Sequence, residues 1–434
     1  MIEKQSKIVS IPNASRHPRS QVRELSSAPA ASNAALAEQF TVMAVFGTRP
    51  EIIKLAPVLK ELGSRPERFD RIAVTTSQHA DLSRPLLELF DIRIDFDLQV
   101  MRPGQSLNQL CAGAVSKIDT VLCQRRPNIV LVQGDTTTAL AGALAAWHQQ
   151  IPVGHVEAGL RTGKPDNPFP EEMNRRLISH LASVHFAATA ENANTLMSEG
   201  VPKDSIALTG NPVVDAVETV LHSAQASRSV TDLIGSFAGR RIIVLTTHRR
   251  ESFGPIMRDN MLALRNFVVE RDDVSLVFPV HPNPAVRAAA SEILAETPDV
   301  HMLDPLNYPD FIHLLANAWL IVSDSGGIQE EAPSLRKPLL IIREDTERQE
   351  ALECGIARLV SGGPQMLALT LEALDRDDAW IESAKDIQNP FGRGDSASRI
   401  VAAIEEFLSD GRVNLAPQES ANRTVEIHGQ RVAV

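Results

Sequence analysis

Between Trp319 and Pro338 the chain reads Trp-Leu-Ile-Val-Ser-Asp-Ser-Gly-Gly-Ile-Gln-Glu-Glu-Ala-Pro-Ser-Leu-Arg-Lys-Pro. The unbroken apolar run Trp319 to Val322 fits a strand buried on both faces, as in a parallel sheet. Ser325-Gly326-Gly327 then predicts a tight turn, and Ile328 to Leu335 predicts a helix. Such an order leaves backbone N–H groups free at the positive end of a helix dipole. Glycine there lets an anion approach the backbone. Glu330 and Glu331, about one turn further in, suit a hydroxyl partner such as a ribose better than a phosphate. Together these features describe a diphosphate–ribose site, hence a nucleotide; the alternative is an ordinary strand-to-helix turn.

The same grammar recurs along the chain. Thr41 to Phe46 reads as a strand, followed by Gly47-Thr-Arg-Pro-Glu51 and an amphipathic helix through Leu62 that stops at Gly63. Arg71 to Thr75, Asn128 to Gln133 and Ile151 to Val156 read as further strands, and a helix opens at Glu171. Around Thr209 to Asp215 the pattern pauses, and Ala216 to Phe237 reads as a largely helical connector. It restarts with strands at Arg241 to Thr246, Ser275 to Phe278 and Lys337 to Ile342. Strands alternating with helices predict an α/β protein of two doubly wound, Rossmann-like domains, residues 40–212 and 213–408. A ligand would then sit in the cleft between them, at the carboxyl ends of the strands. Residues 1–39, rich in Ser, Ala, Arg and Pro without periodicity, predict a poorly ordered extension, and residues 409–434 a frayed polar tail.

Composition narrows the partners. A net charge of −11 without a basic block argues against nucleic acid. Cys111, Cys123 and Cys354 lack metal-ligand spacing, which points to a reducing, cytoplasmic setting and no structural zinc. No apolar run reaches membrane-spanning length, and the N-terminus lacks the apolar core of a signal peptide. No Gly-x-Gly-x-x-Gly follows a strand. Tyr308, the one tyrosine, has Ile312 four residues on, so the Tyr-x-x-x-Lys pair of nicotinamide-dependent sugar epimerases is missing. A dinucleotide cofactor is not expected.

Polar residues gather where this fold would hold a ligand: Arg49, Asp135, Glu157, His248, Ser325 and Arg348 at strand ends, with Glu171 at a helix start. Each has a plainer reading. Asp135 could cap the next helix, Glu171 could complement a helix dipole, and Glu157 could accept a strand-end hydrogen bond. His248 could be structural, and Arg348 could belong to a solvated charged loop. Read by themselves, the residues reach a two-domain nucleotide-sugar enzyme of open reaction.

An ordered set of motifs goes further. Phe46-Gly-Thr-Arg-Pro-Glu51, Gln133-Gly-Asp-Thr-Thr-Thr138, Gly154-His-Val-Glu-Ala-Gly-Leu-Arg-Thr162 and Pro170-Glu-Glu-Met-Asn-Arg175 occur in the first half. His248-Arg-Arg-Glu-Ser-Phe-Gly254, Ser323-Asp-Ser-Gly-Gly-Ile-Gln-Glu-Glu-Ala-Pro333 and Thr346-Glu-Arg348 occur in the second. Over roughly residues 42–408 this set resembles the non-hydrolysing UDP-N-acetylglucosamine 2-epimerases. The resemblance implies a fold like the two-domain glycosyltransferases of the B type, a homodimer, and no cofactor or metal. It implies reversible conversion of UDP-N-acetylglucosamine to UDP-N-acetylmannosamine by elimination and re-addition of UDP, serving a surface polysaccharide.

Carried over position by position, the resemblance makes Asp135, Glu157 and Glu171 acid/base candidates and puts His248 near the diphosphate. Arg49 and Lys54 would contact nucleotide and phosphate. Ser325, Gly326 and Gly327 would hold the diphosphate, Glu331 the ribose and Phe311 the uracil, with Arg348 neutralising the leaving group. Ser77-Gln-His-Ala-Asp-Leu82 lacks the arginine of a segment beside which many bacterial members bind a second, activating substrate. A hydrolysing 2-epimerase and a glycosyltransferase of the same architecture remain as alternatives.

Overall fold

A computed structural model describes residues 39–76, 80–102, 104–249, 253–410, 424–427 and 430–433. The N-terminal extension, apart from Gln39, lies outside the described residues, as do 77–79 of the Ser77 to Leu82 segment, 250–252 of the His248 motif and 411–423 of the tail.

Two parallel sheets carry the chain. The first takes β1 (Phe40–Phe46), β2 (Phe69–Thr75), β3 (Phe96–Asp97), β4 (Ile129–Gln133), β5 (Val153–Ala158), β6 (Val184–Ala187) and β7 (Ile206–Leu208). The second takes β8 (Arg241–Thr246), β9 (Val274–Pro279), β10 (Val300–Leu303), β11 (Leu320–Ser323), β12 (Leu339–Ile341) and β13 (Ala357–Leu359). Their orders are β3-β2-β1-β4-β5-β6-β7 and β10-β9-β8-β11-β12-β13. The order therefore reverses between β1 and β4 in one sheet and between β8 and β11 in the other. These reversals leave a crevice at the carboxyl ends of the strands. The central strands read almost wholly apolar because helices cover both faces.

Five short strands, β3, β6, β7, β10 and β13, are not predicted from the sequence: each has two to four residues and, unlike β11 and β12, none sits in a longer apolar run. Within the tail, where the polar composition predicts fraying, β14 (Thr424–Ile427) and β15 (Gln430–Ala433) pair antiparallel.

Both sheets belong to one compact unit, Gln39–Val434, and they share a core. One apolar cluster runs from Phe46 and Leu55 through Val214 and Val217 to Ile321, Leu339 and Ile400. The helix Pro212–Ser223 packs on both the helix Arg49–Gly63 and the helix Gly326–Leu335, so it links the halves. The last long helix, Ser396–Asp410, returns to the Arg49–Gly63 helix. There Glu405 pairs with Arg65 at 2.5 Å and Arg68 at 2.7 Å. Among the described residues no helix is long and apolar enough to cross a membrane.

Candidate active site

At the first reversal the loops after β1 and β4 are tied together by one buried carboxylate. Glu51 accepts from the backbone N–H of Gly47 at 3.0 Å and of Thr48 at 2.7 Å, and from Thr136 Oγ1 at 2.7 Å. Thr48 and Glu51 form a capping box, and Pro50 favours the first helical turn, so Gly-Thr-Arg-Pro-Glu starts the helix Arg49–Gly63 locally. Thr136 caps the next helix, Thr137–His148, by accepting from Ala139 N at 3.0 Å. The capping alternative for Asp135 is thereby corrected: the residue after it does that work. The Asp135 carboxylate instead pairs with Arg175, and its backbone carbonyl accepts from Asn174 Nδ2 at 2.9 Å.

Glu157 belongs to β5 rather than following it. The pairing of β5 with β6 shifts register between Val156 and Ala158, and Glu157 takes φ 63°. A bulge residue in the left-handed region costs on the order of 1 kcal/mol and re-aims its side chain. Here it turns a carboxylate towards Lys54 Nζ at 2.5 Å, Asn211 Nδ2 at 3.3 Å and Gln133 Nε2. Glu171 opens the helix Glu171–Leu181, half-buried. Burial pushes its carboxyl up and Asp135 adds to this, against Arg175 and Arg249.

At the second reversal Asp324 ties the loops after β8 and β11. Fully buried, it accepts from Thr247 Oγ1 at 2.7 Å, His248 N at 3.1 Å and Arg249 N at 3.2 Å. His248 Nδ1 stands 3.5 Å from Asp324 Oδ1, and its ring stacks on His281 with centroids 5.6 Å apart. The helix here begins at Gly326, so Gly326 and Gly327 are its first two residues rather than a separate turn. Ser325 is the N-cap in extended conformation, and its hydroxyl makes no capping bond. A Cβ on Gly326 would meet Arg348 Nη1 at 2.8 Å, so the guanidinium lies against the first turn of the helix. Backbone donors, a dipole end and a guanidinium converge there, a combination suited to an anion.

Ion pairs join the two reversals. Lys54 Nζ reaches Glu157 Oε1 at 2.5 Å and Glu330 Oε2 at 2.7 Å. Glu330 Oε1 takes Arg348 Nε at 2.6 Å, and Arg348 Nη1 reaches Glu347 Oε1 at 2.5 Å. Burial works to raise the Glu157 carboxyl, but the Lys54 ammonium and the Arg348 guanidinium outweigh it and hold it below the ordinary range. Burial also raises Glu330, with Glu157 adding to it against Arg348 and Lys54. Glu347 is held well below the usual carboxylate range: Arg348, Arg343 and Arg249 overcome its burial.

Glu331 faces another way. It accepts from Tyr308 Oη at 3.1 Å and is pushed up to about 7, chiefly by burial. Burial lowers Arg49, and Glu331 and Tyr308 pull the other way. Phe311 lies on the helix Tyr308–Ala316, partly buried against the shared core.

The structure thus brings Lys54, Glu157 and Arg348 into one network, Asp135 beside Glu171, and Arg49 beside Glu331. His248 and Ser325 stand at neighbouring strand ends. Sequence reasoning missed Glu51, Gln133, Arg175, Asn211 and Asp324, and used Tyr308 only to exclude a reaction. Their signal was present as polar residues beside buried strand ends, but partners distant in sequence gave them meaning. Among the described residues no group of three or more His, Cys, Asp or Glu is placed to hold a metal ion.

The family profile described as UDP-N-acetylglucosamine 2-epimerase matches residues 60–405. The UDP-N-acetylglucosamine 2-epimerase of Escherichia coli (strain K12) is 42% identical over 379 residues, 86% of this chain and 100% of that protein. The structure of UDP-GlcNAc 2-epimerase from Neisseria meningitidis bound to UDP-GlcNAc superposes with a TM-score of 0.79 at 39% identity, covering 84% of this chain and 99% of that one. The S. aureus MnaA–UDP structure superposes with a TM-score of 0.80 at 37% identity, covering 86% and 97%. These similarities and the two-sheet architecture converge: the chain belongs to the UDP-N-acetylglucosamine 2-epimerase family of isomerases and has its glycosyltransferase-B-like fold of two Rossmann-like halves.

Proposed function

We propose that this protein interconverts UDP-N-acetylglucosamine and UDP-N-acetylmannosamine, supplying a surface polysaccharide pathway. One observation carries the reading. Lys54 joins the acid/base candidate Glu157 of the first half to Glu330 and Arg348, which flank the anion-suited helix start of the second. A site that eliminates a diphosphate needs both functions within reach of one sugar.

The C2 hydrogen is not beside a carbonyl, so its direct removal is unfavourable. In the proposed path a carboxylate takes the C2 proton as the C1–O bond to UDP breaks with its electron pair. C1 and C2 then share a double bond in 2-acetamidoglucal, and UDP holds the departing charge. Re-addition of a diphosphate oxygen at C1, with a proton delivered to the opposite face of C2, gives the epimer. Asp135, Glu157 and Glu171 are the acid/base candidates; burial raises the half-buried Glu171 carboxyl, so it keeps its proton to higher pH than an ordinary carboxylate, as a general acid requires. Ser325, Gly326, Gly327, His248 and Arg348 would stabilise the diphosphate. Glu331 with Arg49 would meet the ribose and phosphates, and Phe311 the uracil. No step requires redox chemistry.

NMR of UDP-N-acetylglucosamine incubated with the protein in deuterated water tests this. Both epimers should appear, with deuterium at C2. Epimerisation without deuterium at C2 would overturn the mechanism, and free N-acetylmannosamine with UDP would instead identify a hydrolysing enzyme. We also propose a homodimer, to be weighed by light scattering, and a cytoplasmic setting, which the three free cysteines suit.

A further inference from the structure

Glu330 stands next to the residue read as a ribose contact, yet its carboxylate is not available for that purpose. It is 1% exposed, and each oxygen faces a cation: Oε1 takes Arg348 Nε at 2.6 Å, and Oε2 lies 2.7 Å from Lys54 Nζ. The two cations come from opposite halves of the chain. Lys54 lies on the helix Arg49–Gly63, and Arg348 follows β12. Lys54 then continues to Glu157 Oε1 at 2.5 Å. Charges therefore alternate without a break from the acid/base candidate to the guanidinium at the diphosphate-suited helix start.

We infer that Glu330 is a positioning residue for the proposed reaction, holding Lys54 and Arg348 in one line so that the charge of the leaving diphosphate is felt at Glu157. The inference rests on the proposed function and deepens it. When negative charge grows on a phosphate beside Arg348, the guanidinium turns its field towards that phosphate and screens Glu330 less. Glu330 then draws more of the Lys54 ammonium, and Glu157 loses part of the cation that holds it ionised. Bond breaking at C1 and proton uptake at Glu157 thus favour one another. The titratable groups facing Glu330 are Arg348, Glu157, Lys54, Glu331 and Tyr308, and those facing Glu157 are Lys54, Arg348 and Glu330; a hydrogen bond between the Glu157 and Glu330 carboxyls lowers the first and raises the second.

The test compares the pH profile of kcat, and the Kd of UDP, for wild type, Glu330→Gln and Glu330→Asp. Glutamine keeps the shape and removes the charge, which leaves Lys54 with Glu157 as its one carboxylate. With the Glu330 carboxyl gone, Glu157 loses both a neighbouring charge and a hydrogen-bond partner that holds it down, so the limb that Glu157 governs should move by on the order of one unit. In that variant kcat should fall about 100-fold, while the Kd of UDP stays within a few-fold. Aspartate keeps the charge beside Lys54 on a shorter stem, so kcat should fall while the limb stays at its wild-type position. A limb unmoved in the Gln variant, or moved equally in both variants, would reduce Glu330 to a packing role and overturn the inference. A wild type without turnover would end the proposed function itself, a result separate from an unmoved limb in a working enzyme.

Discussion

Tyr308 donates its phenol hydrogen to Glu331 Oε1 at 3.1 Å, and both side chains are shut away from water. The pair joins the start of the helix Tyr308–Ala316 to the middle of the helix Gly326–Leu335. The carboxyl is pushed up to about 7 by burial and by Glu330, against Tyr308, Lys54 and Arg49. Its ordinary value is 4.5, so between these two pH values the folded chain binds the proton more firmly than the unfolded one. Stability contributed here is therefore highest at low pH, falls as pH rises through the window, and reaches its full deficit above about 7. The deficit is on the order of 3 kcal/mol. Glu331→Gln should melt higher than wild type at pH near 8 and equal to it near 4.5, measured by calorimetry without nucleotide. It should also bind UDP about 10-fold more weakly, since a hydrogen bond to a charged group is lost.

Glu157→Gln should abolish epimerisation, lowering kcat by about 1,000-fold or more, with UDP affinity within a few-fold of wild type. Deuterium exchange at C2 and titration calorimetry check the two halves of that statement. Normal turnover would remove Glu157 from the mechanism.

The two glycines at the helix start should part company. Alanine at Gly326 puts a Cβ 2.8 Å from Arg348 Nη1, whereas at Gly327 the nearest atom is Ser325 Oγ at 3.9 Å. Gly326→Ala should therefore displace the guanidinium and weaken UDP binding about 10-fold or more, as expected when one charge-assisted contact is lost. Gly327→Ala leaves Arg348 in place, and any loss of affinity there reports how closely the ligand approaches the backbone. A crystal structure of each variant would show where Arg348 lies.

Lys54→Met should destabilise the fold by about 3–5 kcal/mol, because it leaves the buried Glu157 without its cation and takes one of two cations from the buried Glu330. Adding Glu157→Gln and Glu330→Gln removes the stranded charge and should restore part of the loss. Urea unfolding of the single and triple variants measures this, and equal stabilities would show that the Lys54 pairs add nothing to the fold.

Much of this is legible in the amino-acid sequence. Apolar runs of four to seven residues, each ending in small or polar residues, predict buried parallel strands because only a strand covered on both faces tolerates such a run. Pro50 and the Thr48–Glu51 spacing announce a helix start from local chemistry alone. The fold class and the positions of Arg49, Asp135, His248, Ser325 and Arg348 beside strand ends follow from that level. The bulge at Glu157 does not: nothing in Val-Glu-Ala-Gly distinguishes a strand end from a strand that buckles and continues, since buckling is decided by the register with β6.

Glu330 and Glu331 draw the boundary between the two levels. The chain by itself determined that two carboxylates would stand in the first turns of a helix behind a glycine pair. Successive residues on a helix point about 100° apart, so the neighbours of each depend on what packs against either side. One side meets Lys54 and Arg348, the other Tyr308 and Arg49. Only the docking of two separately wound sheets through a shared apolar core brought those partners there, and burial in that interface then set the charge each acid can carry.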